Sequence, residues 1–179
     1  MNGPDWAGRV PRAIFPRMIT IRPAVAADEQ RLGRYGAALM RQHHASDERR
    51  FIQVEHPEAG YGRFLVSRIG TNDTQVLVAD RDGEVVGYVF VQVEGTDWMM
   101  LRGPCAIVED VYVDEAARGQ GAGRALMRAA IDWAATQGRT QVVLMTKTRN
   151  EHAQALFANL GFRSTMVEMT LDRDLEAKA

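Results

Sequence analysis

Glycine recurs on alternate residues at Gly119, Gly121 and Gly123, flanked by Arg118 and Arg124, in the stretch ARGQGAGR. A strand-like run, CAIVEDVYVD, precedes it and an alanine-rich, helix-like segment follows. The start of a helix exposes backbone N–H groups that have no intrahelical acceptor, and the helix dipole favours negative charge there. Glycines remove the β-carbons that would hold an anion away from those amides, while arginines add donors shaped for phosphate oxygens. A pyrophosphate is the guest this pattern suits. Two other phosphate motifs fail: the dinucleotide fingerprint G-x-G-x-x-G meets Arg124 at its third glycine, and the loop G-x-x-x-x-G-K lacks its lysine. Taken alone, the motif also reads as a tight strand-to-helix turn that merely needs glycine.

The elements around the loop follow from periodicity. Residues 1–17, with Pro4, Pro11 and Pro16, read as an irregular arm, and residues 18–173 as one domain ending in a charged tail, 174–179. MITIRPA is a strand, and Asp28 caps a helix carrying Leu32, Tyr35, Leu39 and Met40 at helical spacing. His43, His44 and Ser46 interrupt that pattern, a weaker helix is expected over 48–54, and EAGYG reads as a loop. TQVLVAD and EVVGYVFVQVE form a hairpin about Arg81-Asp82-Gly83. A helix over 124–137, a short apolar strand over 141–146, a helix capped by Asn150, and a closing strand FRSTMVEMTLD complete the order. The fold class is α/β with a mixed sheet and helices on both faces.

The 22 basic and 23 acidic residues give a net charge of −1, so no global field recruits nucleic acid or an anionic membrane, and any anion site is local. Cys105 is the single cysteine, which excludes an intrachain disulfide and suits a reducing, cytoplasmic setting. His43, His44, His56 and His152 have no metal-ligand spacing, so no metal is expected. No apolar run has the length of a membrane span.

VEDVYVDEAARGQGAGRALM closely resembles the coenzyme A loop of the GNAT superfamily, the acetyl-CoA-dependent N-acetyltransferases, whose pattern is Arg/Gln-x-x-Gly-x-Gly/Ala, through Arg118, Gly121 and Gly123. NEHAQALFANLGFR resembles the second family motif, N-x-x-A-x-x-L-Y-x-x-x-G-F, through Asn150, Ala153, Leu156, Gly161 and Phe162, and IRPAVAADEQRL looks like the usual opening. Together these cover residues 19–171 in the right order. The resemblance implies a mostly antiparallel sheet splayed between two parallel strands, with acetyl-CoA as cosubstrate in the fork. There the pantetheine arm would add to the edge of the strand Val111, Tyr112, Val113, as a peptide joins a sheet edge. The pyrophosphate would lie on Arg118, Gly119, Gln120, Gly121, Ala122, Gly123 and Arg124. Asn150 would hydrogen-bond the pantetheine, and Ala153 and Phe157 would line its wall.

An alkyl amine with a pKa of about 10.4 is almost wholly protonated at neutral pH, a handicap of roughly 4–5 kcal/mol that a base must offset. The resemblance offers Glu109 as that base, directly or through a water, and Asp110 next. Strict alternation sends these neighbours to opposite faces, so both serve only if a bulge twists the strand. A free N–H near Val111 is the expected oxyanion donor. One departure stands out: Phe157 occupies the place of a family tyrosine that protonates the leaving thiolate, with Tyr112 or a water as substitutes. His43, His44, Tyr61, Trp98 and Met99 are candidates for the acceptor wall. The activity implied is direct transfer to a primary amine on a small molecule. The alternatives are a peptide acceptor, at an N-terminus or lysine, and an acyl-CoA-binding regulatory module without chemistry. A homodimer is left open.

Overall fold

The computed structural model describes residues 18–173; the arm 1–17 and the tail 174–179 lie outside the described residues. In chain order the elements are β1 (Ile19–Pro23), α1 (Glu29–Ser46), α2 (Glu58–Ser67), β2 (Thr74–Arg81), β3 (Glu84–Glu94), β4 (Cys105–Val113), α3 (Ala122–Thr136), β5 (Val142–Leu144) and α4 (Glu151–Ala158). The strands lie side by side in that same order, antiparallel from β1 to β4 and parallel between β4 and β5. Antiparallel neighbours need only turns, whereas the parallel pair needs a crossover, which the α3 segment provides.

Period-two alternation sorts side chains onto two cores. Leu77, Ala79, Val89 and Val91 pack with Leu126, Met127 and Ala130 of α3 and with Phe157 of α4. Val76, Val78, Tyr88 and Phe90 pack on the opposite face with Leu32 and Tyr35 of α1 and Leu65 of α2. On β4 the alternation breaks once. Phe90 pairs with Asp110 but Val91 pairs with Val108, so Glu109 is the extra residue of a bulge. Ala106 and Val108 therefore share the α3 face with Val111 and Val113, while Tyr112 joins the other core.

Five expectations are corrected. Helix α1 runs on through His43 and His44 to Ser46, because the His43 and His44 carbonyls accept the Asp47 N–H and the Ser46 hydroxyl donates to the His43 carbonyl at 2.6 Å. No helix forms over 48–54; the next helix is α2, which contains the glycines of EAGYG. Of these, Gly62 serves close packing rather than a turn. A β-carbon on Gly62 would sit 2.7 Å from the Glu29 carbonyl oxygen, and one on Gly33 of α1 only 2.2 Å from that of Glu58. Next, β5 spans three residues rather than the expected 141–146. Finally, the segment 163–173 forms no strand. Its Glu168 is ion-paired with Arg50 and its Asp172 with Arg49, while Val167, Met169 and Leu171 are left exposed, and a three-residue β5 offers a closing strand few ladder bonds. Among the described residues no helix is long and apolar enough to cross a membrane.

Candidate active site

The sheet opens where β5 ends. β4 and β5 pair at Ala106–Val142, Ile107–Val143 and Val108–Leu144, and β4 continues to Val113 without β5 beside it. Residues 109–113 thus carry main-chain groups on an edge with no strand neighbour among the described residues. One of those groups is already engaged: the Arg118 Nε–H donates to the Val113 carbonyl at 3.1 Å, with its guanidinium 5.9 Å from the Tyr112 ring centroid. The Tyr112 side chain itself turns to the α1 core, 5.1 Å from the Tyr35 ring, so it stands away from the fork.

The bulge gives the two carboxylates different surroundings. Glu109 is exposed, and its Oε1 accepts from Gln92 Nε2 at 2.7 Å. Desolvation pushes its carboxyl above the usual range, the Gln92 hydrogen bond opposes that, and the neighbouring charges of Glu94 and Asp110 add to it. Asp110 is enclosed. Its Oδ2 accepts from the Tyr61 hydroxyl at 2.5 Å and from the Tyr88 hydroxyl at 2.9 Å. Burial raises the Asp110 carboxyl too, against both tyrosine hydrogen bonds and the nearby His43. Burial and the Asp110 charge in turn drive both tyrosines above their ordinary value, so the protons stay on the phenols.

Beyond β4, Asp114 caps a short turn by accepting the Ala116 N–H at 3.1 Å, and the chain enters the glycine loop. Gly119 and Gly121 have φ of +74° and +88°, a left-handed backbone that favours glycine. Added β-carbons there would meet nothing within 4 Å, so the space over the loop is open. Gly123 is different: it lies inside α3, and its added β-carbon would touch Leu156 of α4 at an ordinary 3.4 Å. Arg118, Gln120 and Arg124 are exposed around this helix start, with Gln120 accepting from Arg81 Nη1 at 3.1 Å, and Ala122 is buried beneath it. The open helix start and its two arginines suit a pyrophosphate.

Asn150 caps α4 through its Oδ1, which accepts the Ala153 N–H at 3.2 Å, so only its side-chain NH₂ is left to offer a ligand. Asn150, Ala153 and the buried Phe157 form one wall of a cleft of about 320 Å³, with Glu109, Asp110 and Val111 as its floor. The facing wall comes from α1 and the segment after it, through Leu39, Met40, His43, Phe51 and Ile52, with Tyr61 of α2. Of the expected acceptor residues, His43 and Tyr61 line this cleft, whereas Trp98 and Met99 lie exposed on the β3–β4 connection and are not among its lining residues. His44 instead ties Nδ1 to the Phe51 carbonyl at 2.8 Å and so positions the wall. His43 Nδ1–H donates to the Leu39 carbonyl at 2.8 Å, with its ring 4.9 Å from that of Phe51. Tyr88 and Lys147 were not singled out in the sequence; the period-two placement of Tyr88 beside Phe90 was the only available signal for either.

The model of the acetyltransferase (GNAT) family matches residues 37–162. An uncharacterized N-acetyltransferase, YhfO of Bacillus subtilis, is 30% identical over 114 residues, covering 64% of this chain and 75% of that protein. A mycothiol acetyltransferase of Amycolatopsis mediterranei is 30% identical over 164 residues, 90% of this chain, which spans only 50% of that protein. Among solved structures, a tetramutant of the BH1408 protein from Bacillus halodurans superposes with a TM-score of 0.75 at 24% identity, covering 86% of this chain and 99% of that one. The aminoglycoside N-acetyltransferase AAC(6')-Iy in complex with CoA gives 0.67 at 18% identity, covering 92% and 99%. The structural likenesses, at under a quarter identity, bear on the fold.

Proposed function

The chain belongs to the acetyltransferase (GNAT) family, acyltransferases that draw on acetyl-CoA, and from that premise we propose that it acetylates a primary amine by direct attack within a ternary complex. The observation that carries this reading is the cleft at the fork, where the carboxylates of the β4 bulge stand between the α4 wall and the α1 wall. In this reading Arg118, Arg124 and the amides of the glycine loop hold the pyrophosphate. The free edge of β4 around Val111 and the Asn150 NH₂ hold the pantetheine. Acetyl-CoA supplies the thioester that the amine attacks.

Glu109 takes the proton of the ammonium, directly or through one water, since the Gln92 contact engages Oε1 and leaves Oε2 available. Asp110, with Oδ2 committed to Tyr61 and Tyr88, offers Oδ1 to the incoming ammonium and holds it facing the fork. A main-chain N–H on the open edge near Val111 receives the developing oxyanion. Phe157 cannot donate a proton, and a thiol with a cysteine-like pKa of roughly 8.5 leaves as the thiolate without one, while the second proton of the attacking nitrogen passes to solvent. The test is Glu109→Gln in the full chain: kcat for release of free coenzyme A falls about 10²-fold or more, while the Kd of acetyl-CoA is unchanged. An unaltered kcat and pH profile would remove Glu109 as the base.

A further inference from the structure

Lys147 is a cation whose charge no carboxylate among the described residues answers. It follows β5 and reaches across the cleft to the far wall, where its Nζ donates to the Ser46 hydroxyl at 3.0 Å and the Gln42 carbonyl at 3.3 Å. Both partners are neutral oxygens. Among the described residues no carboxylate lies within ion-pair distance of it, although Glu109 and Asp110 line the same cleft. It is partly buried, and that burial alone pulls its ammonium below the usual lysine value, with no opposing partner. Holding an unpaired charge out of water costs free energy, and an anionic ligand arriving there recovers it.

Beside Lys147, most of the acceptor side is apolar, with His43, Tyr61 and Thr146 as its polar members. Leu39, Met40, Phe51, Ile52 and Met145 line the cleft that Lys147 shares with the two carboxylates. Ile52 and Met145 are 74% and 82% exposed, so they present greasy surface that a ligand can cover. A polyhydroxylated polycation would find few hydrogen-bond partners beyond His43, Tyr61 and Thr146 on this wall and a repelling charge at Lys147. A zwitterion with an apolar arm finds all three of its parts matched.

We propose that the acceptor is an α-amino acid with an apolar side chain: Lys147 binds its carboxylate, the α1 wall covers its side chain, and its amine is presented to Glu109 and Asp110. This rests on the acetyl-transfer reading for the reaction but not for the binding, because the N-acetylated product should dock in the same way. The experiment uses the full chain saturated with coenzyme A and titrates in N-acetyl-L-leucine, N-acetyl-L-leucinamide and N-acetylglycine by calorimetry. N-acetyl-L-leucine binds about 10- to 100-fold more tightly than its amide, the range for a charge-assisted contact, and more tightly than N-acetylglycine. Lys147→Met erases the preference for the free carboxylate, and Lys147→Arg, which keeps the charge, retains most of it. Thermal melts of both variants check that they fold. In turnover, L-leucine shows a lower KM than L-leucinamide in the native chain, and Lys147→Met removes that gap.

Equal affinity for acid and amide in the native chain, or a preference that survives Lys147→Met, overturns the carboxylate subsite. Equal affinity for the leucine and glycine products overturns the apolar side-chain assignment. Product binding with the expected preference but no coenzyme A release from any amine leaves the subsite standing and sinks the acetyl-transfer reading instead.

Discussion

At the scale of single residues, what distinguishes Glu109 from Asp110 is which groups touch each carboxylate. Glu109 has one donor, Gln92, and a like charge nearby at Glu94; Asp110 has two phenol donors and is enclosed. A base works in its deprotonated form, so turnover supported by Glu109 rises as pH climbs through its raised pKa and is lost below it. Gln92→Leu removes the hydrogen bond that favours the carboxylate, raises that pKa further and moves the acidic limb of kcat/KM to higher pH. Glu94→Gln removes a repelling charge and moves it the other way. A pH profile of both variants checks the pair, and shifts of the same sign would mean that another group sets the limb.

At the scale of elements, the α1 wall of the cleft is positioned by contact between glycines. Gly33 lets α1 approach the Glu58 carbonyl, and Gly62 lets α2 approach that of Glu29, which brings Tyr61 down onto Asp110. A β-carbon at Gly33 meets main chain that cannot rotate away, so Gly33→Ala forces the helices apart at a cost of about 1–3 kcal/mol. Gly60, also on α2, faces open space, and Gly60→Ala is neutral or stabilises by up to about 1 kcal/mol. Urea unfolding lowers the midpoint for Gly33→Ala and not for Gly60→Ala if packing is what Gly33 serves; equal displacements would contradict it. The sequence showed EAGYG only as a glycine cluster. A glycine required by a neighbouring helix and one required by a turn are the same letter, and only the crossing of α1 and α2 separates them.

At the scale of the whole molecule, the fork leaves β5 attached to β4 by three residue pairs, while α3 and α4 meet behind it at Gly123 and Leu156. A ligand lying between the strands and on the glycine loop ties these parts together. Coenzyme A at about 100 times its Kd therefore adds about 2.7 kcal/mol of stability, a rise of roughly 5–11 °C in Tm for a chain of this size. Gly121→Val forces a β-branched residue into a left-handed backbone, and the ligand-induced rise shrinks or disappears. A full rise in that variant, measured by thermal melt with and without coenzyme A, would place the pyrophosphate elsewhere.

Much of this was determined by the sequence alone, because it rests on local rules. Alternation marks the strands, Asn150 marks a helix start, and Gly119 and Gly121 mark a left-handed approach to α3, all within a few residues of chain. The order of motifs carried the family and the fold. Local rules did not reach the bulge at Glu109, whose position is visible only once β3 is laid against β4, nor the crossing of α1 and α2. They also promised a closing strand that the structure does not form, since whether FRSTMVEMTLD pairs depends on how much of β5 is there to receive it. Lys147 is the limiting case. In the sequence it is one lysine after an apolar run, and its meaning comes from the partners that the tertiary structure gives it and the counter-charge that it withholds.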